Sequence, residues 1–155
     1  MKKFLAFITI VIVIGGCASW EPIATHEGEF KEIIEVSGKS KEEIYSLSNL
    51  WLADTYVSSK SVIEYSDKEA GIIKGNAITR ETSSFALSSS NIKYSIKIEC
   101  KDSKARITFS EPHYYSPQTG EGFIINELDL STYRAHVIET TNSYKSFLAN
   151  QKTDW

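Results

Sequence analysis

From Tyr94 to Cys100 the chain alternates strictly, with Tyr94, Ile96, Ile98 and Cys100 set against Ser95, Lys97 and Glu99. Four polar residues follow, Lys101-Asp102-Ser103-Lys104, and then Ala105, Ile107 and Phe109 alternate with Arg106, Thr108 and Ser110. A period of two sends successive side chains to opposite faces, so each run reads as a strand with one apolar and one wet face. The spacing predicts a hairpin of residues 92–100 and 105–110. Its apolar face has to be covered by another layer.

The rest of the chain offers that layer. Residues 30–36 form a strand candidate in which Phe30, Ile34 and Val36 share a face with Glu32. Ser40 and Glu43 stand at capping-box spacing, where the serine oxygen accepts from the amide three residues on and the glutamate reaches back. The helix expected from there to about Tyr56 carries two adjacent apolar stripes: Ile44, Leu47, Trp51 and Thr55, and beside them Tyr45, Leu52 and Tyr56. An arc that wide suits the cup of a curved sheet. Residues 62–66 and 72–79 read as a second hairpin across Asp67-Lys68-Glu69-Ala70-Gly71, with Gly75 marking a bulge or bend. Residues 57–61 and 80–90 are expected to be loops. Residues 111–130 hold Pro112, Pro117, Gly120 and Gly122 and are expected to be irregular. From about Ser131 a last helix is predicted by Tyr133, Val137, Thr141, Tyr144 and Leu148, although Val137-Ile138-Glu139-Thr140-Thr141 has poor helix propensity.

Strand, helix, four strands, helix is the repeat unit of the TATA-box-binding-protein fold. The chain also resembles an uncharacterised bacterial domain family described as TBP-like. The resemblance is carried by FKEIIEVSGKSKEEIYSLSNLWLADTY at 30–56, SSKSVIEYSDKEAGIIKGNA at 58–77 and YSIKIECKDSKARITFSE at 94–111, and it covers roughly residues 28–115. It implies an α+β fold of order β-α-β-β-β-β-α, a curved antiparallel sheet with two helices on one face. It implies no site and no activity. DNA binding does not travel with the fold name.

The N-terminus argues for place. Lys2 and Lys3 precede an apolar run from Phe4 to Ile14, and Gly15, Gly16 and Cys17 follow. A basic start, a short apolar middle and small residues before a cut form a secretory signal. With cysteine directly after them, the stretch resembles the lipobox of bacterial lipoproteins, in which the peptide is cut before the cysteine and its sulfur receives a diacylglyceryl group. The resemblance implies cleavage between Gly16 and Cys17 and lipidation of Cys17. Ile14 and Gly15 depart from the commonest form of the motif. The run falls short of the ~20 apolar residues that a spanning helix needs. The expected organisation is a signal peptide at 1–16, a lipidated tether at 17–28 and one domain at 29–155. Extended at about 3.3 Å per residue, the stretch after the cysteine holds the domain some 35 Å from the bilayer. Ala18 is not the aspartate that retains lipoproteins at the inner membrane of enteric-type bacteria, so the resemblance favours the outer membrane, periplasmic side.

Charge and cysteines narrow the partners. The formal charge is −3; without Lys2 and Lys3, 15 basic residues face 20 acidic ones, near −5. An acidic surface disfavours nucleic acid and anionic headgroups. There are two cysteines. With Cys17 lipidated, Cys100 has no partner within the chain, and its place on the apolar side of a strand makes it a packing residue.

The search for chemistry is short. A metal site needs three or four converging ligands. The three histidines, His26, His113 and His136, are scattered, and the pairing of His136 with Glu139 reads as a surface contact. No serine has the nucleophile-elbow pattern, and no glycine loop is laid out to cradle phosphate. The stretch best suited to contact is Pro112-His113-Tyr114-Tyr115-Ser116-Pro117, where aromatic residues between prolines on a loop make a rigid patch; the competing reading has both tyrosines packing over the sheet edge. The expectation is a membrane-anchored, non-enzymatic envelope domain with no cofactor, a binding or structural domain that binds an envelope protein or helps organise the envelope. The alternatives are a carrier of a small apolar ligand between helix and sheet, and an enzyme in which His113 or His136 meets a second titratable group in a cleft.

Overall fold

The computed structural model describes residues 28–56, 62–80, 91–116, 120–123 and 127–151. The lipobox, His26, the expected loop at 57–61 and all of the expected loop at 80–90 except Arg80, which ends the third strand, lie outside them. The elements are β1 (Phe30–Glu35), α1 (Lys41–Thr55), β2 (Ile63–Asp67), β3 (Ile72–Arg80), β4 (Asn91–Lys101), β5 (Lys104–Ser116), β6 (Gly120–Phe123) and α2 (Glu127–Asn150). The strands form one antiparallel sheet of order β1-β5-β4-β3-β2, with β6 also on β5. The expected order β-α-β-β-β-β-α is present, with one short strand added before the last helix.

The β4–β5 hairpin forms as the alternation predicts. Ile98 faces Ile107, Cys100 faces Ala105 and Ile96 faces Phe109, and all six are buried under the helices. The turn is Asp102-Ser103, with Ser103 in the left-handed region at φ 63°. Opposite Gly75, the β2–β3 register shifts between Ile63 and Tyr65. A Cβ on Gly75 would stand 1.8 Å from the Val62 carbonyl oxygen, so this glycine lets two backbones meet.

The capping box is built. Glu43 N–H donates to Ser40 Oγ at 3.3 Å, and Ser40 N–H donates to Glu43 Oε2 at 2.8 Å. Burial of Ile44, Ser48, Trp51 and Leu52 seats α1 on the sheet. Alongside it, α2 buries Leu130, Tyr133, Val137, Thr141, Tyr144 and Leu148. The rings of Trp51 and Tyr144 join the two helices with centroids 4.6 Å apart.

The stretch expected to be irregular is more regular than that. β5 continues to Ser116 and pairs with β6, and α2 starts at Glu127 rather than near Ser131. A bulge makes this possible. The β4–β5 register shifts between Lys93 and Ser95, opposite Glu111, whose φ is 55°. Pro112 therefore falls at a bulge, where its missing N–H breaks no ladder bond.

Candidate functional site

Two places gather polar chemistry, one on each face of the sheet. On the helix side, hydroxyls and an imidazole meet where the end of α1, the start of β4 and the middle of α2 converge. Tyr56 Oη lies 3.1 Å from Tyr94 Oη, which lies 3.0 Å from His136 Nε2. Thr140 Oγ1 stands 3.4 Å from the same nitrogen. Tyr133 packs edge-on against Tyr94, with centroids 5.7 Å apart. Its hydroxyl is buried and finds no hydrogen-bond partner among the described residues.

Burial sets the protonation of this network. It pushes the Tyr94 and Tyr133 phenols far above the ordinary range. It raises Tyr56 as well, with the bond to Tyr94 working the other way. Burial also pushes the His136 imidazole down, opposed by Glu139. Neutral phenols beside a neutral imidazole form a directional chain. A His136 protonated at Nδ1 accepts at Nε2 from Tyr94, whose oxygen then accepts from Tyr56. Such a chain ties three elements together, and its phenols are poor proton donors near neutral pH.

On the opposite, open face the strand register lines up Lys31, Thr108, Lys97, Lys74 and Tyr65 in one row. The next row holds Ile33, Arg106, Glu99, Ile72 and Asp67. Glu99 accepts from Lys97 Nζ at 3.0 Å and from Arg106 Nη2 at 2.6 Å. Partial burial works against its charged form, but the two cations outweigh that and hold the carboxyl below its ordinary range. A shallow concavity of about 160 Å³ lies here, lined by Ile33, Glu99, Lys101, Lys104, Ala105 and Arg106.

The residues singled out in the sequence are distributed differently from the expectation. His113, Tyr114 and Tyr115 lie on β5 past the bulge, not on a loop. They are half-buried and pair with Phe123, Gly122 and Glu121 of β6. Strand alternation separates them, putting His113 and Tyr115 on one face and Tyr114 on the other. His113 Nδ1 is 2.8 Å from the Glu111 carbonyl oxygen. His136 is half-buried and joins the tyrosines, with Glu139 still acting on its charge. Cys100 is buried beside Ser48 Oγ at 3.7 Å, and burial raises its thiol. Among the described residues no three His, Cys, Asp or Glu side chains converge as a metal set. Tyr56, Tyr94 and Tyr133 were each legible as core residues, but nothing in their spacing pointed to a shared network.

A sequence profile described as "Domain of unknown function (DUF4468) with TBP-like fold" matches residues 30–115, more than half of the chain. No curated protein matches. Among solved structures, a TBP-like protein from Parabacteroides distasonis ATCC 8503 superposes with TM-score 0.64 at 18% identity, covering 80% of this chain and 94% of that one. A DUF4468 family protein from Bacteroides ovatus ATCC 8483 gives TM-score 0.62 at 16% identity, with 82% and 89% covered. At such identities the likeness is one of fold.

Proposed function

The chain belongs to the DUF4468 family of TBP-like domains, and we propose that it is a membrane-tethered binding domain of the bacterial cell envelope, without catalytic activity of its own. The observation that carries the reading is the order Lys2-Lys3, apolar run, Gly15-Gly16-Cys17. A diacylglyceryl group on Cys17 supplies two acyl chains, and two hold a protein stably where one holds it only marginally. The first strand starts at Phe30, so residues 17–28 are left as the tether.

The binding role rests on the sheet. One face is covered by α1 and α2, and the other is open and mixes Ile33 and Tyr65 with Lys31, Lys74 and Thr108. The partner is an envelope protein, and the outer membrane is the favoured site. The alternative carrier role draws less support: Trp51, Tyr94, Phe109, Tyr133 and Tyr144 fill the helix–sheet layer, and the concavity described above lies on the other face.

Metabolic labelling with radioactive palmitate, followed by fractionation of the membranes, tests the anchor. Wild type is expected to carry label and to sediment with the outer membrane. Cys17→Ser is expected to lose both. An unlabelled wild-type protein in the soluble fraction would overturn the reading.

A further inference from the structure

Among the described residues β2 closes one end of the sheet, and β1 and the four-residue β6 lie along the outer side of β5 at the other; β1 and β2 differ. β2 is short and broken by the register shift between Ile63 and Tyr65. β1 pairs with β5 in unbroken register from Phe30↔Phe109 to Glu35↔Lys104 and contains no proline. Bulges and shortness are the usual protection of a sheet edge against another chain. β1 has neither.

The direction of its backbone groups follows from the ladder. Val36 N–H donates to the Ser103 carbonyl at 2.8 Å, in the same register as the β1–β5 pairs. Hydrogen-bonded and non-bonded pairs alternate in an antiparallel ladder. Ile34, Glu32 and Phe30 therefore turn their N–H and C=O groups toward β5, and Lys31, Ile33 and Glu35 turn theirs toward the open edge.

We propose that β1 is the docking edge for a second copy of this chain, the two strands running antiparallel with Ile33 opposite its own counterpart. A two-fold axis perpendicular to the sheet keeps outer side chains outer, so the centre of such a pairing has to fall on a residue. Centred on Ile33, the pairing joins the three residues whose backbone groups point outward, giving six new ladder hydrogen bonds. It also sets Lys31 of each copy opposite Glu35 of the other, on the same face. Centred on Glu32, it opposes Lys31 with Ile33 and loses both charge pairs.

The surroundings fit the same occupant. Ile33 is 60% exposed and Ile138 is 48% exposed. On α2, Ile138 is two turns before Lys145 and so lies on the same flank of the helix. That flank overlies β1, because Lys145 pairs with Glu32. Both layers thus present an isoleucine at one edge of the molecule. The Lys145 pairing also compensates Glu32, the charge on the helix side of β1. Dimerisation through this edge does not depend on the lipid anchor.

Sedimentation velocity of the full chain in non-ionic detergent, from about 5 to 200 µM, tests it; a small interface of this kind is expected to be weak. The wild type is expected to move from monomer to dimer across that range. Lys31→Glu and Glu35→Lys, each placing like charges opposite one another twice, are expected to weaken association by about tenfold. The double variant Lys31→Glu/Glu35→Lys restores the pairs and is expected to recover it. Ile33→Asp, at an exposed position, is expected to be monomeric with an unchanged circular dichroism spectrum. A wild type that stays monomeric, single variants that associate like wild type, a folded double variant that does not recover, or a dimeric Ile33→Asp would each overturn the proposal.

Discussion

Ser48 Oγ and Tyr144 Oη lie 2.5 Å apart inside the core and join α1 to α2. The serine proton is committed to the Ile44 carbonyl at 2.7 Å, so the tyrosine donates and the serine accepts. The two ends are therefore unequal. Tyr144→Phe removes a donor and leaves Ser48 still bonded, at a cost of about 0.5–1.5 kcal/mol. Ser48→Ala strands a buried phenol and is expected to cost more, about 1–3 kcal/mol. The double variant should be less destabilised than the sum of the two. Urea unfolding of the four proteins, followed by circular dichroism, measures the coupling.

The tyrosine network makes a second contrast. Tyr133 brings into the core a hydroxyl with no partner among the described residues, whereas Tyr94 bonds on both sides. Tyr133→Phe is expected to be neutral or stabilising by up to about 1 kcal/mol, because the buried polar group goes and no bond goes with it. Tyr94→Phe breaks the chain in its middle and is expected to destabilise by about 1–3 kcal/mol. Thermal unfolding that ranks the two variants the other way would show that the Tyr133 hydroxyl has a partner.

His136 gives the fold a defined acid sensitivity. Burial lowers its pKa in the folded state, while the unfolded chain protonates near the ordinary value of about 6.5. Below that value the unfolded state takes up a proton that the folded state refuses, so stability falls as pH drops from about 6.5 toward the folded-state pKa. Above it both forms are neutral and the contribution is flat. His136→Gln is expected to flatten the urea midpoint between pH 7.5 and 5.5, where the carboxylates remain ionised. Persistence of the full slope in that variant would assign it to other groups.

Two glycines are expected to respond differently to alanine. Gly38 has a φ of +80° and open space around it, so Gly38→Ala meets only backbone strain, about 1–2 kcal/mol. At Gly75 the added Cβ runs into the Val62 carbonyl, and backbone cannot swing aside as a side-chain tip can. Gly75→Ala is expected to cost more than about 2 kcal/mol and to expose the β2–β3 amides to hydrogen exchange.

The parts of the fold written in local pattern were legible. The β4–β5 hairpin follows from a period of two, and the start of α1 from Ser40 and Glu43. What depends on distant residues was not. Pro112 reads as a breaker until Glu111 is seen to bulge. Val137, Thr140 and Thr141 are poor helix formers, yet they lie in α2 because burial outweighs propensity; Thr141 Oγ1 also donates to the Val137 carbonyl at 2.7 Å. His136 was matched to Glu139, three residues away. Its imidazole instead meets Tyr94, 42 residues away in the chain, and no spacing rule reaches that far. The lipid site at Cys17 rests on sequence order alone.

β5 serves two neighbours in succession along one side, β1 as far as Phe109 and β6 from His113 onward. The irregular step at Glu111 works as a joint between two independently indexed ladders. Glu111 and Pro112 together stand opposite Tyr94, and this doubling is what puts His113 and Tyr115 on the open face and Tyr114 on the helix side. A strand of the same length without the bulge would leave the Phe30 end in place while turning His113 and Tyr115 inward and Tyr114 out. Making or flattening that one bulge therefore decides which side of the far end of this strand faces out, without touching the core that holds the helices.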